Sequence, residues 1–353
     1  MGKRFLIRCD VAPSIGTGHL RRCTTLANAL TDRNGEVTFL CRAENIDLAC
    51  ELENIANKWK RLEWDTPESE DSRAVVEYCR KWDIDVVVID HYRASPSYQR
   101  ILKRNNIRWL QFDWRANFPI VADWILNANA AAEESEYQLV APNEKTQFLL
   151  GPQYALLRED FARLPDRPSY SEQIETIFLS FGGGDDRGTT VRCLKALRGV
   201  VPGATRIVLT TSKNRNLEGI QAWAECHPKE NVNVIVDTDQ MAEHMHSADL
   251  ALIAGGTTTF EAAAAGLPFL IVRLASNQAP NARAWESAGS AIDLGFLSDL
   301  DPESLSGEVQ DLANDPERRQ KMGERGRKQV DGLGAERVAR RLENVMSVES
   351  GTR

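Results

Sequence analysis

The stretch RFLIRCDVAPSIGTGHLRRCTTLANAL, residues 4–30, combines a strand, a glycine-containing turn and an amphipathic helix. Residues 5–11 are mostly apolar, which is typical of a strand inside a parallel sheet. Apolar side chains then recur at helical spacing over residues 20–30. A strand followed at once by a helix is the repeating unit of α/β folds, so this stretch predicts a βα unit at the start of the chain.

The same alternation continues along the rest of the sequence. Candidate strands of the first half occupy residues 5–11, 37–41, 85–90, 107–113 and 125–128. Candidate strands of the second half occupy residues 176–181, 206–211, 232–236, 250–254 and 269–272. Helical patterns such as residues 20–30 and 74–82 lie between them. Short apolar strands separated by helices predict a parallel α/β sheet in each half.

A polar segment with two prolines, residues 164–169, separates the two series of strands and favours a linker. The length of 353 residues also favours two domains over one. We therefore predict two Rossmann-like domains, residues 1–164 and 170–345. Ligands of such folds bind beyond the carboxyl ends of the strands, so we expect the two domains to face a cleft that holds the site.

The composition excludes several classes of protein. With 43 Lys and Arg against 51 Asp and Glu, the net charge is −8, which argues against nucleic-acid binding. No apolar run approaches the ~18 residues of a membrane-spanning helix, and the seven cysteines show no C-x-x-C spacing. We expect a cytoplasmic, monomeric protein that acts on a small molecule, with no cofactor, no metal and no stable membrane association.

The segment DVAPSIGTGHLRR, residues 10–22, is the most informative for function. Gly16 and Gly18 permit a tight turn and close approach of a ligand to the backbone. The segment is neither a dinucleotide fingerprint nor a P-loop, because Arg21 replaces the third glycine and no Gly-Lys-Ser/Thr is present. His19 stands at a helix N-terminus, where the positive end of the helix dipole is expected to favour the neutral imidazole. We predict that His19 is a general base, with capping or loop packing as the alternative.

Two strand ends of the first domain carry further polar residues. Asp10 is expected either to orient His19 or to bind a sugar hydroxyl group, and a hydrogen bond within the loop is the structural alternative. Asp90-His91-Tyr92 ends another strand and is expected at the same cleft. For His91, a role in the core is equally consistent with the sequence.

A glycine-rich turn follows a strand of the second half in AGGTTTFE, residues 254–261. Its backbone N–H groups and threonine hydroxyls at a helix N-terminus suit a diphosphate. Glu261 is predicted to hydrogen-bond a ribose diol, and a capping box with Thr258 is the alternative.

Two more turns of the second half contain candidate binding residues. In FGGGDD, residues 181–186, three glycines let a ligand lie against the backbone, and Asp186 is expected to cap the next helix. Asn277 and Gln278 follow another strand, and their amides suit sugar or phosphate oxygens unless they serve only the turn.

Residues 316–345 form a basic helical pattern. An RNA- or membrane-binding patch is one interpretation. We favour a solvated helix face, with Val338, Leu342 and Val345 packing on the core at helical spacing.

In this order and spacing, the motifs resemble the nucleotide-sugar hydrolases of pseudaminic acid biosynthesis, relatives of spore-coat polysaccharide proteins and of MurG-type glycosyltransferases. The resemblance extends from about residue 4 to about residue 342. The segments that carry it are residues 8–10, 16–19 with Arg22, 90–92, 150–158, 181–185, 248–250, 255–261 and 277–278. It implies a GT-B fold and the removal of UDP by water from UDP-2,4-diacetamido-2,4,6-trideoxy-β-L-altropyranose.

The resemblance also implies a role for each matched residue. His19 is the base, Tyr92 and Asn277 line the sugar site, and residues 255–258 with Glu261 hold UDP. The complete set that we expect to bind the substrate is Asp10, Gly16, Gly18, Arg22, Tyr92, Asn277 and Gln278. The set that we expect to bind the nucleotide is Gly183, Gly255, Gly256, Thr257, Thr258 and Glu261.

The chain departs from the family pattern in the domain expected to hold the sugar. It has Asp113-Trp114-Arg115 where the family often has paired aspartates, and residues 127–129 match only approximately. The resemblance therefore implies the nucleotide-diphosphate class more than one particular sugar. A glycosyltransferase that uses a UDP-sugar donor is the alternative function, and a nucleotide-sugar-binding protein without catalysis is another, against which His19 argues.

Overall fold

The alternating strands and helices form two parallel sheets. The computed structural model describes residues 2–12, 18–44, 47–52, 58–141, 143–167 and 170–344, without the side chains of residues 50 and 51. Its contacts group the chain into two units, Met1–Arg158 with Leu333–Arg353, and Glu159–Gly332. The predicted α/β class with two parallel-sheet domains is confirmed.

The first unit contains a seven-stranded sheet. Its strands are β1 (Arg4–Val11), β2 (Glu36–Ala43), β3 (Lys58–Leu62), β4 (Val86–Asp90), β5 (Trp109–Phe112), β6 (Trp124–Asn127) and β7 (Gln147–Leu150). They lie in the order β3-β2-β1-β4-β5-β6-β7, and all neighbours are parallel. The helices of this half are α1 (Gly18–Thr31), α2 (Leu48–Leu52), α3 (Glu68–Trp82), α4 (Pro96–Arg104) and α5 (Glu134–Val140).

The second unit contains a six-stranded parallel sheet. Its strands are β8 (Thr176–Ser180), β9 (Thr205–Thr210), β10 (Val232–Val236), β11 (Leu250–Ala254), β12 (Phe269–Arg273) and β13 (Ala291–Phe296), in the order β10-β9-β8-β11-β12-β13. Its helices are α6 (Glu159–Ala162), α7 (Thr189–Ala196), α8 (Leu217–Cys226), α9 (Met241–Ser247), α10 (Thr258–Ala264), α11 (Ala279–Ser287), α12 (Pro302–Asn314) and α13 (Pro316–Gln329).

The side chains of β1 alternate between the two faces of its sheet, and this alternation positions the site. Cys9 belongs to the core that α1 covers, whereas Leu6 belongs to the core that α3 and α4 cover. Arg8 and Asp10 follow Leu6 at a period of two and therefore project toward α3. Cys9 pairs in register with Asp90 of β4, so the Asp90 side chain projects toward α1.

Three strands that the sequence pattern did not reveal, β3, β7 and β13, all lie at sheet edges. An edge strand is covered on fewer sides, so it needs no continuous apolar run. The side chains of β3 are almost all exposed, and those of β13 are mostly half-buried. The missing apolar run in β3 and β13 therefore reflects their position in the sheet, whereas β7 contains the short apolar run Phe148-Leu149-Leu150, which was not predicted as a strand.

The basic pattern over residues 316–345 is two helices rather than one, because α13 ends at Gln329 and α14 spans Gly334–Asn344. Val338 and Leu342 of α14 are buried in the core of the first unit, as the favoured interpretation expected, and Val345 lies outside the described residues. The last helix thus belongs to the first unit, whereas the predicted boundary of 170–345 assigned it to the second. The first boundary falls after Arg158 instead of residue 164.

Over the ranges that the structure describes, we find no helix that combines the length and the apolar character required to span a bilayer.

Candidate active site

His19 and Asp90 meet at the carboxyl end of the first sheet. The imidazole stands in the first turn of α1, and its Nδ1 lies 2.7 Å from Oδ1 of Asp90. Arg22, on the same face of α1, donates from Nε to Oδ2 of Asp90 at 2.6 Å and from a terminal nitrogen to Oδ1. The Cys23 thiol lies 3.4 Å from Oδ2. The side chains of His19 and Asp90 are only 4% and 0% exposed, so both members of the pair are buried.

The electrostatics of this pair keep Asp90 ionised. Burial alone would raise the pKa of Asp90, but the charge of Arg22 and the hydrogen bonds from Arg22 and His19 outweigh burial and hold that pKa well below its ordinary value. Nδ1 of His19 also lies 3.0 Å from a terminal nitrogen of Arg22. Because an ionised carboxylate can only accept, we assign the Nδ1–H to the shorter contact with Asp90. This tautomer leaves Nε2 as the nitrogen that can accept a proton.

Arg22, which we expected to bind substrate, is held by neighbouring side chains in the structure. Its guanidinium contacts Asp90 and lies 4.8 Å from the ring centroid of Phe112, the last residue of β5. Its side chain is 29% exposed. Arg22 therefore holds Asp90 in place while part of it stays accessible to a ligand.

Tyr92 lies against the imidazole. The centroids of the His19 and Tyr92 rings are 4.8 Å apart with an interplanar angle of 87°. Tyr92 in turn meets Trp114 edge-to-face at 4.5 Å and 90°. Tyr92 is 57% exposed, so the structure places one predicted sugar-binding residue, partly accessible, beside the predicted base. The contact with Trp114 was not expected from the sequence.

Asp10 does not orient His19, because it projects from the opposite face of β1. Its Oδ1 accepts from Nη1 of Arg8 at 2.8 Å, and its Oδ2 accepts from Arg42 at 2.5 Å. Burial would raise the pKa of Asp10, but the charges of Arg8 and other nearby groups lower it overall. The orienting carboxylate is Asp90. Asp10 and Asp90 both end strands. The register of the sheet decides which of these two side chains points toward α1.

His91 belongs to the same buried group of charges on the α3 face. Arg8 also pairs with Asp71 of α3, with a distance of 2.9 Å from Nε to Oδ1. His91 is 2% exposed, and its Nδ1 accepts a hydrogen bond from the amide of Arg93 at 3.1 Å. Burial, reinforced by the charge of Arg8, lowers the pKa of His91 to about 4. His91 thus supports the strand end from within the core, which was one of its two expected roles.

In the second unit, the turn between β11 and α10 packs against the turn that follows β12. A Cβ added to Gly255 would lie 3.0 Å from Cβ of Gln278. Oε1 of Gln278 accepts a hydrogen bond from the amide of Leu274 at 2.8 Å. Asn281 of α11 donates to the carbonyl of Gly255 at 3.2 Å. The structure therefore brings the predicted residues Gly255 and Gln278 together.

The glycine-rich turn after β8 is joined to the same region. Arg187, within this turn, donates to the carbonyl of Leu274 at 2.9 Å. The exposed Gly183 accepts a hydrogen bond from the hydroxyl of Thr211. Asp186 accepts from the amides of Gly188 and Thr190 at 3.0 and 3.1 Å, so it satisfies N–H groups at the start of α7 as expected.

The capping-box alternative for Glu261 is not formed. Thr258 is the first residue of α10 rather than the residue before it, and the preceding Thr257 makes no side-chain capping hydrogen bond. Glu261 is half-buried and Thr257 is exposed. In the first turn of α10, the hydroxyl of Thr259 donates a hydrogen bond to the carbonyl of Gly256 at 2.8 Å.

Of the remaining predicted residues, two are exposed at the surface and one lies outside the described ranges. Gly18 is exposed at the start of α1, and Asn277 is exposed within a 3-10 turn, Ser276–Gln278. Gly16 lies outside the described residues. Among the residues that the structure does describe, no three His, Cys, Asp or Glu side chains are grouped as metal ligands would be.

Comparison with known proteins gives one domain match and two informative relatives. Residues 189–338 match the glycosyltransferase family 28 C-terminal domain. The chain is 26% identical over 278 residues to the UDP-2,4-diacetamido-2,4,6-trideoxy-beta-L-altropyranose hydrolase of Campylobacter jejuni, across 78% of this chain and 93% of that protein. It is also 26% identical over 206 residues to the spore coat polysaccharide biosynthesis protein SpsG of Bacillus subtilis, across 58% of this chain and 60% of that protein.

Among solved structures, the fold is similar to that of MurG from Acinetobacter baumannii. The TM-score is 0.71 at 17% identity, with 97% of this chain and 100% of that chain covered. The predicted GT-B-like fold with two Rossmann-like domains is therefore confirmed. The sequence relatives confirm the resemblance to the nucleotide-sugar hydrolase family and its spore-coat relatives.

Proposed function

We propose that this chain, a relative of the UDP-2,4-diacetamido-2,4,6-trideoxy-beta-L-altropyranose hydrolase, is itself a nucleotide-sugar hydrolase. It releases UDP from a UDP-2,4-diacetamido-2,4,6-trideoxyhexose, by attack of water at the anomeric carbon. The observation that carries the proposal is the buried contact of 2.7 Å between Nδ1 of His19 and Asp90. This contact is the arrangement that a general base requires, because it fixes the tautomer and the orientation of the ring.

In the proposed reaction, Nε2 of His19 accepts a proton from water while the water oxygen attacks the anomeric carbon. The bond from that carbon to the diphosphate oxygen breaks, UDP leaves with the bonding electrons, and the sugar is released with inverted configuration. Asp90 stabilises the imidazolium cation that forms. General base catalysis of this kind contributes about 10²–10⁴-fold to the rate.

The second unit is proposed to hold UDP through Gly183, the turn of residues 255–258 and Glu261. Two observations support this assignment. The matched glycosyltransferase domain, residues 189–338, includes the turn at Gly255 and Glu261. The contacts of Gln278 and Asn281 with Gly255 also hold this turn in a defined conformation. Asn277 and Gln278 are proposed to contact the substrate from the turn after β12.

A glycosyltransferase is the second candidate function. The match of residues 189–338 to a glycosyltransferase domain favours it. The two activities share the donor and the departure of UDP, and they differ in whether water or a hydroxyl group of an acceptor attacks the sugar.

The deciding experiment supplies UDP-activated 2,4-diacetamido-trideoxyhexoses in ¹⁸O-labelled water without an acceptor, and follows UDP and free sugar by mass spectrometry. We expect free sugar that carries ¹⁸O at the anomeric position. Release of UDP only after an acceptor is added would support the transferase instead. Tight binding of UDP without any release would contradict the hydrolase proposal for these sugars.

Replacement of His19 tests the assignment of the base. His19→Asn should lower turnover by about 10²–10⁴-fold and leave the affinity for UDP unchanged, because only proton transfer is lost. His244→Asn, at a half-buried position on α9, is the matched control and should retain full turnover. Wild-type turnover in the His19 variant would show that the mechanism is wrong.

A further inference from the structure

Trp114 completes an aromatic surface beside the proposed base. Tyr92 contacts the His19 ring at a centroid distance of 4.8 Å, and Trp114 contacts the Tyr92 ring at a centroid distance of 4.5 Å. Both contacts are edge-to-face, an arrangement that aromatic pairs favour. We call the Tyr92 and Trp114 side chains the aromatic wall.

The segment that carries Trp114 is anchored on both sides. Phe112 supports Arg22, so the end of β5 is tied to the His19–Asp90 pair. Oδ2 of Asp113 accepts hydrogen bonds from the amides of Arg115 and Ala116 at 2.9 and 2.8 Å, and from the buried hydroxyl of Tyr137 at 2.7 Å. The backbone on both sides of Trp114 is therefore anchored, and the half-buried indole rests against Tyr92.

The wall has surface that a ligand can reach. Tyr92 has 57% of its surface accessible, although two rings hold it in place. Trp114 lies one ring further from the imidazole than Tyr92. A sugar that has its anomeric carbon at His19 and its ring along the wall would place the substituents of its far side at Trp114.

We propose that Trp114 is a specificity-determining residue, whose indole, held by Tyr92, favours a methyl group or other C–H surface on the far side of the sugar over a hydroxyl group. The inference rests on the proposed function, because it takes His19 as the point at which the anomeric carbon reacts. The physical reason is desolvation, since a hydroxyl group pressed against an indole loses water and gains no hydrogen bond.

The test compares two UDP-sugars that differ by one oxygen atom, UDP-N-acetylglucosamine and its 6-deoxy analogue. Turnover is measured as kcat and KM, and affinity is measured by calorimetry in the His19→Asn background, where turnover is slow. We expect the wild-type chain to prefer the 6-deoxy sugar by roughly 10–100-fold, the range that an apolar pocket reaches against an added hydroxyl group.

Trp114→Ala should lower this preference by about tenfold or more and leave the affinity for UDP itself unchanged. Trp114→Gln, which keeps a long side chain but removes the apolar surface, should do the same and serves if the alanine variant fails to fold. Trp114→Phe should retain most of the preference. Trp59→Ala, which removes a 37% exposed tryptophan from edge strand β3, is the control and should match the wild-type chain.

An unchanged preference in folded Trp114→Ala or Trp114→Gln overturns the inference, whether or not the chain hydrolyses either sugar. If UDP is not released but the ratio of affinities shifts as expected, the role of Trp114 stands and the hydrolase proposal alone fails.

Discussion

At the scale of single residues, Asp90 decides how the candidate base is held. It receives hydrogen bonds from His19 and Arg22, and the Cys23 thiol lies 3.4 Å from its Oδ2. Its charge favours the imidazolium cation that proton transfer produces. An amide at this position would have the same shape but neither the charge nor two acceptor oxygens.

We therefore expect Asp90→Asn to lower turnover on the order of 10³–10⁴-fold, as loss of the orienting carboxylate does in comparable histidine bases. The affinity for UDP should be unchanged. Asp83→Asn, at a side chain that is 92% exposed, is the matched control. Steady-state kinetics would measure the turnover of both variants, and thermal unfolding would check that both are folded. Turnover within tenfold of wild type would mean that Asp90 is not needed to orient the base.

Because the pKa of His91 is lowered by burial, the free energy of unfolding of the chain should depend on pH. His91 is buried beside the charges of Arg8, Asp10, Asp71 and Asp90, and its pKa is lowered to about 4 from an unfolded value near 6.5. Between these values the unfolded chain binds more protons than the folded chain. The contribution of His91 is therefore fully present above about pH 6.5 and is lost as the pH falls toward about 4, by up to roughly 1.4 kcal/mol per pH unit.

The measurement is urea-induced unfolding at several values between about pH 7 and about pH 4.5. His91→Gln should flatten the dependence relative to the wild-type chain, because glutamine does not titrate. His244→Gln, on the half-buried face of α9, should keep the wild-type slope. Equal slopes in the wild-type chain and the His91 variant would contradict the prediction.

At the scale of secondary-structure elements, the turn between β11 and α10 depends on a small residue. A Cβ on Gly255 would lie 3.0 Å from Cβ of Gln278 and 3.2 Å from Cγ2 of Ile271. Gln278 cannot move away without giving up its hydrogen bond of 2.8 Å to the amide of Leu274. The turn therefore keeps its conformation through contacts between two elements that are adjacent in the sheet.

Gly255→Ala should destabilise the chain by about 1–3 kcal/mol through overpacking, and should weaken the binding of UDP. The matched control is Gly307→Ala, at an exposed position inside α12 where an added Cβ meets no atom within 4 Å. That substitution should stabilise the chain by about 0.5–1 kcal/mol, because alanine suits a helix interior better than glycine. Thermal unfolding and calorimetric titration with UDP would measure both. A Gly255 variant as stable as the wild-type chain would show that the turn tolerates a side chain.

At the scale of the whole molecule, the chain does not divide at a single point. Residues that follow the second sheet return to the first unit, where Val338, Ala339 and Leu342 of α14 are buried against the core that contains α1. The last helix therefore contributes to the stability of the sheet that carries the proposed base. This contribution joins parts of the chain that are more than 300 residues apart in the sequence.

We expect Leu342→Ala to destabilise the first unit by about 2–4 kcal/mol, since it leaves a cavity at a fully buried position. Hydrogen exchange followed by mass spectrometry should show faster exchange in β1 and α1, and unchanged exchange in β8 and β11. Arg340→Ala, at a side chain that is 61% exposed, should change neither the stability of the first unit nor the exchange in β1 and α1. Faster exchange confined to the second unit would contradict the assignment of α14.

The sequence by itself determined the features that depend on neighbouring residues. The buried strands, the glycine-rich turns, the two parallel sheets and the position of His19 at the start of a helix all follow from local pattern, and the GT-B-like fold was implied by the family resemblance of the motifs. Strands β3 and β13 were not predicted because edge strands do not need a continuous apolar run.

Only the tertiary structure decided which distant residues meet. Asp90 rather than Asp10 faces His19, because the register of β1 with β4 sets which side chains project toward α1. Trp114 reaches Tyr92, and α14 returns to the first unit, through packing between segments far apart in the sequence. Such contacts are set by strand order and by the two faces of a sheet, which no local pattern of side chains encodes.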